Sequence, residues 1–128
     1  MIVDSSAIVA IVLQEPGFEA VLERLTAGAS SAIGTPTLTE TAIVLSARLR
    51  FDARALLARL VVEADIETVP FGDQHYGAAV DAWLRYGKGR HAAALNFGDC
   101  MSYALAKLAA APLLYVGEDF TKTDIVAA

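Results

Sequence analysis

Four acidic residues stand where they could form one metal site. Asp4 ends the first apolar stretch, and Asp119 follows the apolar stretch 113–116 by a short turn. Glu40 and Asp99 fall in the first turns of two predicted helices. Four carboxylates at one place repel one another, so protons or cations must neutralise them. Oxygen ligands select Mg²⁺ or Mn²⁺ over zinc, and such ions activate water at a phosphodiester.

Each of these acids also has a structural explanation. Asp99 near a helix start is favoured by the helix dipole alone. Glu40 lies three residues after Thr37, which is a capping-box pattern, and Asp119 fits a turn. Asp4 is the exception, because a carboxylate that ends a buried strand before an apolar helix has no evident structural need. Taken singly, only Asp4 favours a functional site over a structural role.

Short strands that alternate with helices must position these acids. The predicted strands are 1–4, 30–34, 66–69 and 113–116, with a last short one at 125–126. Helical spacing of apolar residues predicts helices within 5–13, 18–28, 38–49, 56–61, 76–87 and 97–108. The alternation predicts one α/β domain over residues 1–128, with helices on both faces of a mainly parallel sheet of four or five strands. Ligands bind beyond the carboxyl ends of such strands, where Asp4 and Asp119 should converge.

Composition narrows the class of protein. The 128 residues suit one domain with its own core, and the 55% hydrophobic content excludes intrinsic disorder. Cys100 is the single cysteine, which excludes an internal disulfide and a cysteine zinc cage. The apolar run 7–13 is shorter than the about 20 residues that a membrane helix needs. No basic residue precedes Arg24, so we expect no secretory signal, no membrane association and a cytoplasmic location.

Three motifs resemble the PIN-domain family. They are the opening residues 1–7, the segment 96–100, and residues 117–120 continuing through 123–125. The chain looks most like the small VapC-type toxins, which are the ribonuclease halves of bacterial toxin–antitoxin pairs. The resemblance covers essentially the whole chain, in order and at the usual length. It implies a PIN-like three-layer α/β/α domain.

The resemblance also implies roles for the acids. The four acidic positions of the family fall on Asp4, Glu40, Asp99 and Asp119. Asp4, Asp99 and Asp119 would be the metal ligands, and Glu40 would be a ligand or orient the attacking water. The implied activity is a Mg²⁺-dependent endoribonuclease, with Mn²⁺ as an alternative, in which a metal-activated water attacks phosphorus. The products would carry 5′-phosphate and 3′-hydroxyl ends.

Two further residues match supporting positions of the family. The Ser6 hydroxyl matches a position that holds the acidic cluster by hydrogen bonds. Asp124 matches another recurrent acid, which is either a peripheral ligand or a structural residue. The resemblance therefore extends the candidate site beyond the four acids.

A basic segment precedes the motif that contains Asp99. Arg85, Lys88 and Arg90 cluster there between glycines, which suggests a mobile clamp for RNA phosphates. A solvated loop that needs glycine for its turns is the alternative. The short distance in sequence to Asp99 favours RNA contact.

Three other side chains in this region are given structural roles. Trp83 continues a helical apolar stripe and is assigned to the core or to a dimer interface. Tyr86 could stack on a base, although an aromatic residue at a helix end is more often packed within its own domain. Cys100 is interpreted as a small packed thiol rather than a nucleophile.

Other function classes fit parts of the pattern. A receiver domain shares the length and an acidic Mg²⁺ site, but it needs an acidic pair where Ser5 and Ser6 follow Asp4. An aspartate-nucleophile phosphatase needs a second aspartate where Ser6 stands. A catalytically idle binding module, in which the acids are caps and turns, is the third alternative.

Partners follow from the apolar excess, the charge and the resemblance. Short helices rich in Ala, Leu and Val suggest an exposed apolar face, suited to a homodimer and to an antitoxin groove. The resemblance implies a cognate antitoxin that inserts a helix and a basic residue into the acidic site. The net charge of −5 argues against a general grip on nucleic acid. If four of the acids share one cavity, much of the negative charge is concentrated at a metal-binding site. RNA therefore remains the expected substrate.

Overall fold

The computed structural model describes residues 1–28 and 30–128, which contain short strands and six helices. The strands are β1 (Ile2–Val3), β2 (Ser31–Gly34), β3 (Ile66–Val69) and β4 (Leu113–Leu114). The helices are α1 (Ser5–Val12), α2 (Phe18–Thr26), α3 (Thr35–Leu49), α4 (Arg54–Glu63), α5 (Asp73–Tyr86) and α6 (Phe97–Leu108). None of the helices in this described part has both the length and the apolar character needed to cross a bilayer.

The strands form one parallel sheet in the order β3-β2-β1-β4. In its centre, Ile2 of β1 pairs with Ala32 on one side and Leu113 on the other. The predicted strand at 125–126 is reduced to a single parallel bridge between Leu113 and Ala127. The sheet of the described residues therefore has four strands, within the expected range, and the predicted parallel pairing is confirmed.

Helices cover both faces of the sheet because neighbouring strand residues point to opposite sides. Ile2 and Leu113 belong to a core cluster with residues of α5 and α6. Val3 and Leu114, one position further along, belong to a second cluster with residues of α1 and α3. Two cores separated by one sheet give the three-layer α/β/α arrangement that the sequence predicts.

Helix α5 presents a different face to the core than its apolar pattern suggests. Trp83 is 43% exposed, and Tyr76 and Val80 on the same face are also exposed. The buried positions include Ala79 and Ala82, whose small side chains allow close packing against α6. Of the two alternatives for Trp83, the core is therefore wrong, and the dimer interface stays a prediction because the side chain lies on the surface.

Two chain segments pass directly from a strand into a helix at the same edge of the sheet. β1 ends at Val3 and α1 begins at Ser5, while β2 ends at Gly34 and α3 begins at Thr35. Because the strands are parallel, both helices start at the carboxyl edge. Residues at these junctions consequently lie near one another in space.

Candidate acidic site

Asp4 occupies the junction between β1 and α1, and its carboxylate is held from two sides. Its Oδ2 accepts hydrogen bonds from the backbone N–H of Ser6 at 3.0 Å and from the Ser6 hydroxyl at 2.6 Å. The Ser6 oxygen in turn accepts from the N–H of Val116 at 3.0 Å, just beyond β4. Asp4 is only 4% exposed, so these bonds hold its carboxylate in one orientation within the fold.

Ser102 is a further partner of Asp4, and it is absent from the residues predicted for the site. Its hydroxyl donates to Asp4 Oδ1 at 2.6 Å, and Thr37 Oγ1 lies 3.2 Å from the same Ser102 oxygen. Ser102 is 1% exposed and Thr37 is buried too. One signal was present in the sequence, because Ser102 follows Asp99 by three residues and so shares its helix face.

Glu40 lies on the second turn of α3 and points across to α6. The helix begins at Thr35 after the N-cap Gly34, so Thr37 is not its N-cap and the capping-box explanation is wrong. Glu40 Oε1 instead accepts a hydrogen bond from the Ser5 hydroxyl. Its Oε2 approaches Gly98 so closely that a Cβ added there would lie 1.8 Å from it. Glu40 thus contacts the segment that immediately precedes Asp99.

Asp99 is the third residue of α6, where it forms a capping box with the N-cap Asn96, and it also belongs to the acidic group. Its Oδ2 accepts from the N–H of Asn96 at 3.0 Å, while its own N–H donates to Asn96 Oδ1 at 2.9 Å. Burial, together with charge repulsion from Asp119, Asp4 and Glu40, raises the pKa of Asp99 to about 6, against the lowering effect of the Asn96 bond. A role in the capping box alone does not explain why three other acids lie close to Asp99.

Asp119 is the exposed member of the group. It lies in the irregular segment after β4, directly before Phe120, whose ring is buried against Tyr115 at 5.1 Å between centroids. Its carboxylate contributes to the raised pKa of Asp99. Asp119 therefore lies at the rim of the cluster, with Asp4 and Asp99 inside.

The acidic group has no basic partner among the described residues. Their four ion pairs all involve other acids, namely Asp52, Glu63 and Asp124. In this side-chain arrangement, residues 1–28 and 30–128 contain no group of three or more His, Cys, Asp or Glu residues set to hold a metal ion. Several carboxylate oxygens accept protein hydrogen bonds instead. The all-oxygen donor set and the uncompensated charge nevertheless fit a hard divalent cation rather than zinc.

Asp124 lies apart from the four acids in a cluster of its own. It accepts from Tyr103 OH at 2.7 Å and from Lys107 Nζ at 2.9 Å, and Arg85 Nη1 lies 3.8 Å away. The Lys107 bond, helped by Tyr103 and Arg85, lowers the pKa of Asp124 to about 2. Its negative charge is thus already balanced by protein cations.

The three basic residues differ in how strongly the protein engages them. Arg85 donates to Tyr86 OH at 3.0 Å and lies over that ring, while Arg90 donates to the Leu84 carbonyl at 3.1 Å. Lys88 is exposed and makes no side-chain bond within the described part of the chain. Lys88 is therefore the one of the three whose charge is fully available.

The loop that carries Lys88 and Arg90 is closed by backbone hydrogen bonds. Lys88 N–H donates to the Leu95 carbonyl and Leu95 N–H to the Tyr86 carbonyl, both at 2.9 Å. These paired bonds hold the two ends of the loop together. Phosphate contact by its basic residues stays a prediction. Tyr86 is buried against Tyr103 and His91, so it packs within the domain and is not available to stack on a base.

Cys100 follows Asp99 into α6 as a buried free thiol. Burial and the neighbouring Asp99 raise the pKa of this thiol to about 11. The thiolate is the nucleophilic form, so Cys100 is protonated and unreactive at neutral pH.

Comparison with known proteins gives the same assignment over the whole chain. The sequence matches the PIN domain family over residues 1–126. Ribonuclease VapC36 of Mycobacterium tuberculosis is 48% identical over 126 residues, covering 98% of this chain and 91% of that protein. Ribonuclease VapC of Mycolicibacterium smegmatis is 40% identical over 127 residues, covering 99% and 98%.

Solved structures share the fold at lower identity. VapC20 of Mycobacterium tuberculosis, described as a sarcin–ricin loop cleaving toxin, superposes with a TM-score of 0.78 at 18% identity, covering 99% of this chain and 97% of that chain. VapBC2 of Rickettsia felis, solved with a promoter DNA fragment, superposes with a TM-score of 0.74 at 13% identity, covering 98% and 94%. These likenesses confirm the predicted architecture, and the sequence relatives confirm the resemblance. The chain belongs to the PIN-domain family and stands among the proteins named VapC ribonucleases.

Proposed function

We propose that this protein is a Mg²⁺-dependent endoribonuclease, with Mn²⁺ as an alternative cofactor, and the toxin of a toxin–antitoxin pair. One observation carries the proposal: three acids from other segments, Asp119, Asp4 and Glu40, lie close enough to Asp99 to raise its pKa, and no basic side chain of the described residues pairs with any of the four. Such a group is costly to fold unless a cation occupies it in function. The names of the relatives supply the reaction class, and RNA is the substrate we assign, in the cytoplasm.

Each acid has a distinct part in the proposed reaction. Asp4 and Asp99, both buried, would hold the cation, and exposed Asp119 would complete its ligand set. Glu40, tied to Ser5, would orient the attacking water against the phosphodiester. When bound, a divalent cation lowers the pKa of a water molecule and offsets charge on the phosphate oxygens. Cleavage would leave 5′-phosphate and 3′-hydroxyl ends.

Hydroxyl groups would keep the main ligand in place. Ser6 and Ser102 donate to opposite oxygens of Asp4, which fixes the plane of the carboxylate. Ligands that are held by surrounding hydrogen bonds bind metal more tightly than mobile ones. Ser102 therefore joins Ser6 as a supporting residue of the proposed site.

RNA would approach the rim of the acidic cluster. Lys88 offers a free charge for a phosphate group, and Arg85 and Arg90 add positive charge near it while also bonding within the protein. Such contacts position a backbone without reading its sequence. Selection among RNAs would then depend on the shape of the surface around the site.

Induction of the wild-type chain and of Asp4→Ala should separate the function classes. Sequencing of RNA 5′-ends should show new 5′-phosphate ends with wild type and none with Asp4→Ala, because that variant lacks the central ligand. Purified wild type should cleave RNA with Mg²⁺ and stop when the metal is chelated. Membership of the PIN family argues against a receiver or a phosphatase. If wild type produces no new 5′-ends, the protein is a catalytically idle binding module. If the same new ends appear with wild type and with Asp4→Ala, the proposed metal-dependent cleavage is contradicted.

We assign the antitoxin to an apolar groove between α3 and α4. The groove encloses about 1020 Å³ and is lined by Ile43 and Val62, which are 64% and 79% exposed, together with Phe51. Thr39 of α3 faces this groove, whereas Glu40 beside it belongs to the acidic cluster. An antitoxin helix in the groove would need to cross only α3 to place a basic residue among the acids.

Val62→Glu should weaken antitoxin binding by at least about 30-fold, the loss of one strong interface contact. The side chain is exposed in the free protein, so the variant should fold and still cleave RNA. Binding of the purified antitoxin measures the effect. Leu108→Glu is the matched control, because Leu108 is also exposed but lies outside the groove. Equal affinities of the two variants would contradict the assignment.

We assign a homodimer interface to the exposed face of α5 and the start of α6. Tyr76, Val80, Trp83 and Phe97 form an almost wholly apolar surface there. An exposed apolar patch of this kind marks an interaction surface. Sedimentation as a monomer at micromolar concentration contradicts this assignment.

A further inference from the structure

The carboxylate of Asp124 ties the irregular segment after β4 to two helices. From α6 it receives the hydroxyl of Tyr103 and the ammonium of Lys107, one on each oxygen. Arg85 at the end of α5 adds a longer contact of 3.8 Å to the Lys107-bound oxygen. The Asp124 cluster, meaning these four residues, is therefore a bridge between the C-terminal part of the chain and the helical layer.

Asp99, Tyr103 and Lys107 follow one another at four-residue intervals along α6. Residues spaced by four lie above one another on the same face of a helix. Asp119 lies close enough to Asp99, the first residue of this row, to raise its pKa. Asp124 accepts hydrogen bonds from the other two residues, Tyr103 and Lys107. The segment 119–124 therefore runs along this face of α6, with one acid at each end.

The segment between these two acids has few other anchors. Phe120 is buried beside Tyr115, and short bonds such as Thr123 Oγ1 to the Phe120 carbonyl at 2.8 Å hold its turns. No helix or strand includes this part of the described chain. Beyond Asp124 the chain pairs with β4, where the N–H of Leu113 donates to the Val126 carbonyl at 2.9 Å. The position of Asp119 over the cluster thus depends on Phe120 beside it and on the contacts of Asp124 with α6, which lie between Asp119 and that pairing.

Charge balance separates Asp124 from the cation site. Lys107 and Arg85 neutralise Asp124, whereas the four acids of the site have no such partner among the described residues. A carboxylate that is already paired with an ammonium gains less from binding a metal ion. The surroundings of Asp124 therefore suit a residue that holds the chain in place and do not suit a metal ligand.

We propose that Asp124 is a positioning residue, which uses Lys107 and Tyr103 to hold Asp119 at the metal site on the same helix face as Asp99. This inference rests on the proposed function, because it assigns Asp119 a part in cation binding. It assigns Asp124 no contact with the metal or with RNA.

The test measures Mn²⁺ binding to the purified full chain by calorimetry, with thermal unfolding alongside. Asp124→Ala should raise the Mn²⁺ dissociation constant about 10-fold, the effect of losing a residue that supports a ligand. Glu63→Ala is the matched control, since it removes the Arg59–Glu63 ion pair on α4, away from the site, which at 2.7 Å is similar in length to the 2.9 Å Lys107–Asp124 pair. Its Mn²⁺ affinity should equal that of wild type.

An exchange of charges distinguishes an anchor from a ligand. The double variant Asp124→Lys with Lys107→Asp can rebuild the ion pair in reverse, so it should recover at least half of the affinity lost in Asp124→Ala. A metal ligand could not be replaced by lysine. A folded exchange variant that binds as poorly as Asp124→Ala, or an Asp124→Ala variant that binds as well as Glu63→Ala, overturns the proposal.

A second readout needs no metal. Amide hydrogen exchange of residues 117–123 in chelator should be faster in Asp124→Ala than in wild type and unchanged in Glu63→Ala. If wild type and Asp4→Ala bind Mn²⁺ equally poorly, the proposed function fails. In that case unchanged exchange at 117–123 also overturns the anchoring role, and accelerated exchange supports it.

Discussion

Asp99→Asn should abolish RNA cleavage and, at neutral pH without metal, make the protein more stable. Asparagine keeps the oxygen that accepts the Asn96 N–H, so the cap of α6 survives. It removes a buried negative charge that faces three other acids. It also removes a proposed ligand, so we expect kcat/KM to fall at least about 1000-fold.

The pH dependence of stability gives the sign of this effect. The pKa of Asp99 is about 6 in the folded protein against 3.8 for an ordinary aspartate, so between these values the folded state holds a proton that the unfolded state has lost. The free energy of unfolding therefore falls as pH rises from about 4 to about 6 and stays lower above that. A shift of this size corresponds to about 1–3 kcal/mol. Asp99→Asn should lack this part of the decline.

Thermal unfolding in chelator from pH 4.5 to 8 measures the stability, and an RNA cleavage assay measures the activity. In chelator above pH 7, Asp99→Asn should unfold about 5 °C higher than wild type. When Mg²⁺ replaces the chelator, it should raise the Tm of wild type and leave that of Asp99→Asn unchanged. Asp73→Asn is the matched control, because Asp73 is an exposed first-turn acid of α5. It should keep its activity and lose a little stability through the helix dipole. A less stable Asp99→Asn in chelator, or one that cleaves RNA at a tenth of the wild-type rate, contradicts the account.

Gly98→Ala should impair catalysis while leaving the fold in place. A Cβ at this position would lie 1.8 Å from Glu40 Oε2, and the easiest relief is for the Glu40 side chain to swing away. That movement breaks its bond to Ser5 and removes the carboxylate from the cluster. We expect a loss of about 10- to 100-fold in kcat/KM, typical of a misplaced catalytic group.

Gly77→Ala is a close control for this substitution. Both glycines lie in helices, but nothing lies within 4 Å of a Cβ added at Gly77. Alanine in an open helical position stabilises by about 0.5–1 kcal/mol, so Gly77→Ala should raise Tm and keep full activity. In a Glu40→Ala background, Gly98→Ala should cost no further activity, because the group it displaces is already gone. Additive losses in the double variant would refute this steric explanation.

The elements of the fold were largely predictable because their signals are local. The third strand is found at residues 66–69 as predicted, and helix breaks at Gly17 and Gly87 follow from residues within a few positions. The strand predicted at 125–126 is reduced to one bridge at Ala127, since a short apolar pair does not show whether the chain pairs over one residue or several. Apolar spacing in α5 likewise identified a helix but not its buried face. The face with Ala79 and Ala82 and the face with Tyr76 and Trp83 are both apolar enough to pack against the core.

The four acids were predicted as metal-site residues from their residue types, their positions along the chain and the family resemblance. Their partners were decided by tertiary structure. Ser102 meets Asp4 across 98 positions of sequence, and Asp124 meets Lys107 across 17, through contacts that no local pattern encodes. Helix caps and strand alternation depend on neighbouring residues, whereas these bonds depend on how α6 packs against β1 and the segment after β4. By itself the sequence determined which groups could do chemistry, and only the packing of the helices decided which side chains hold them in place.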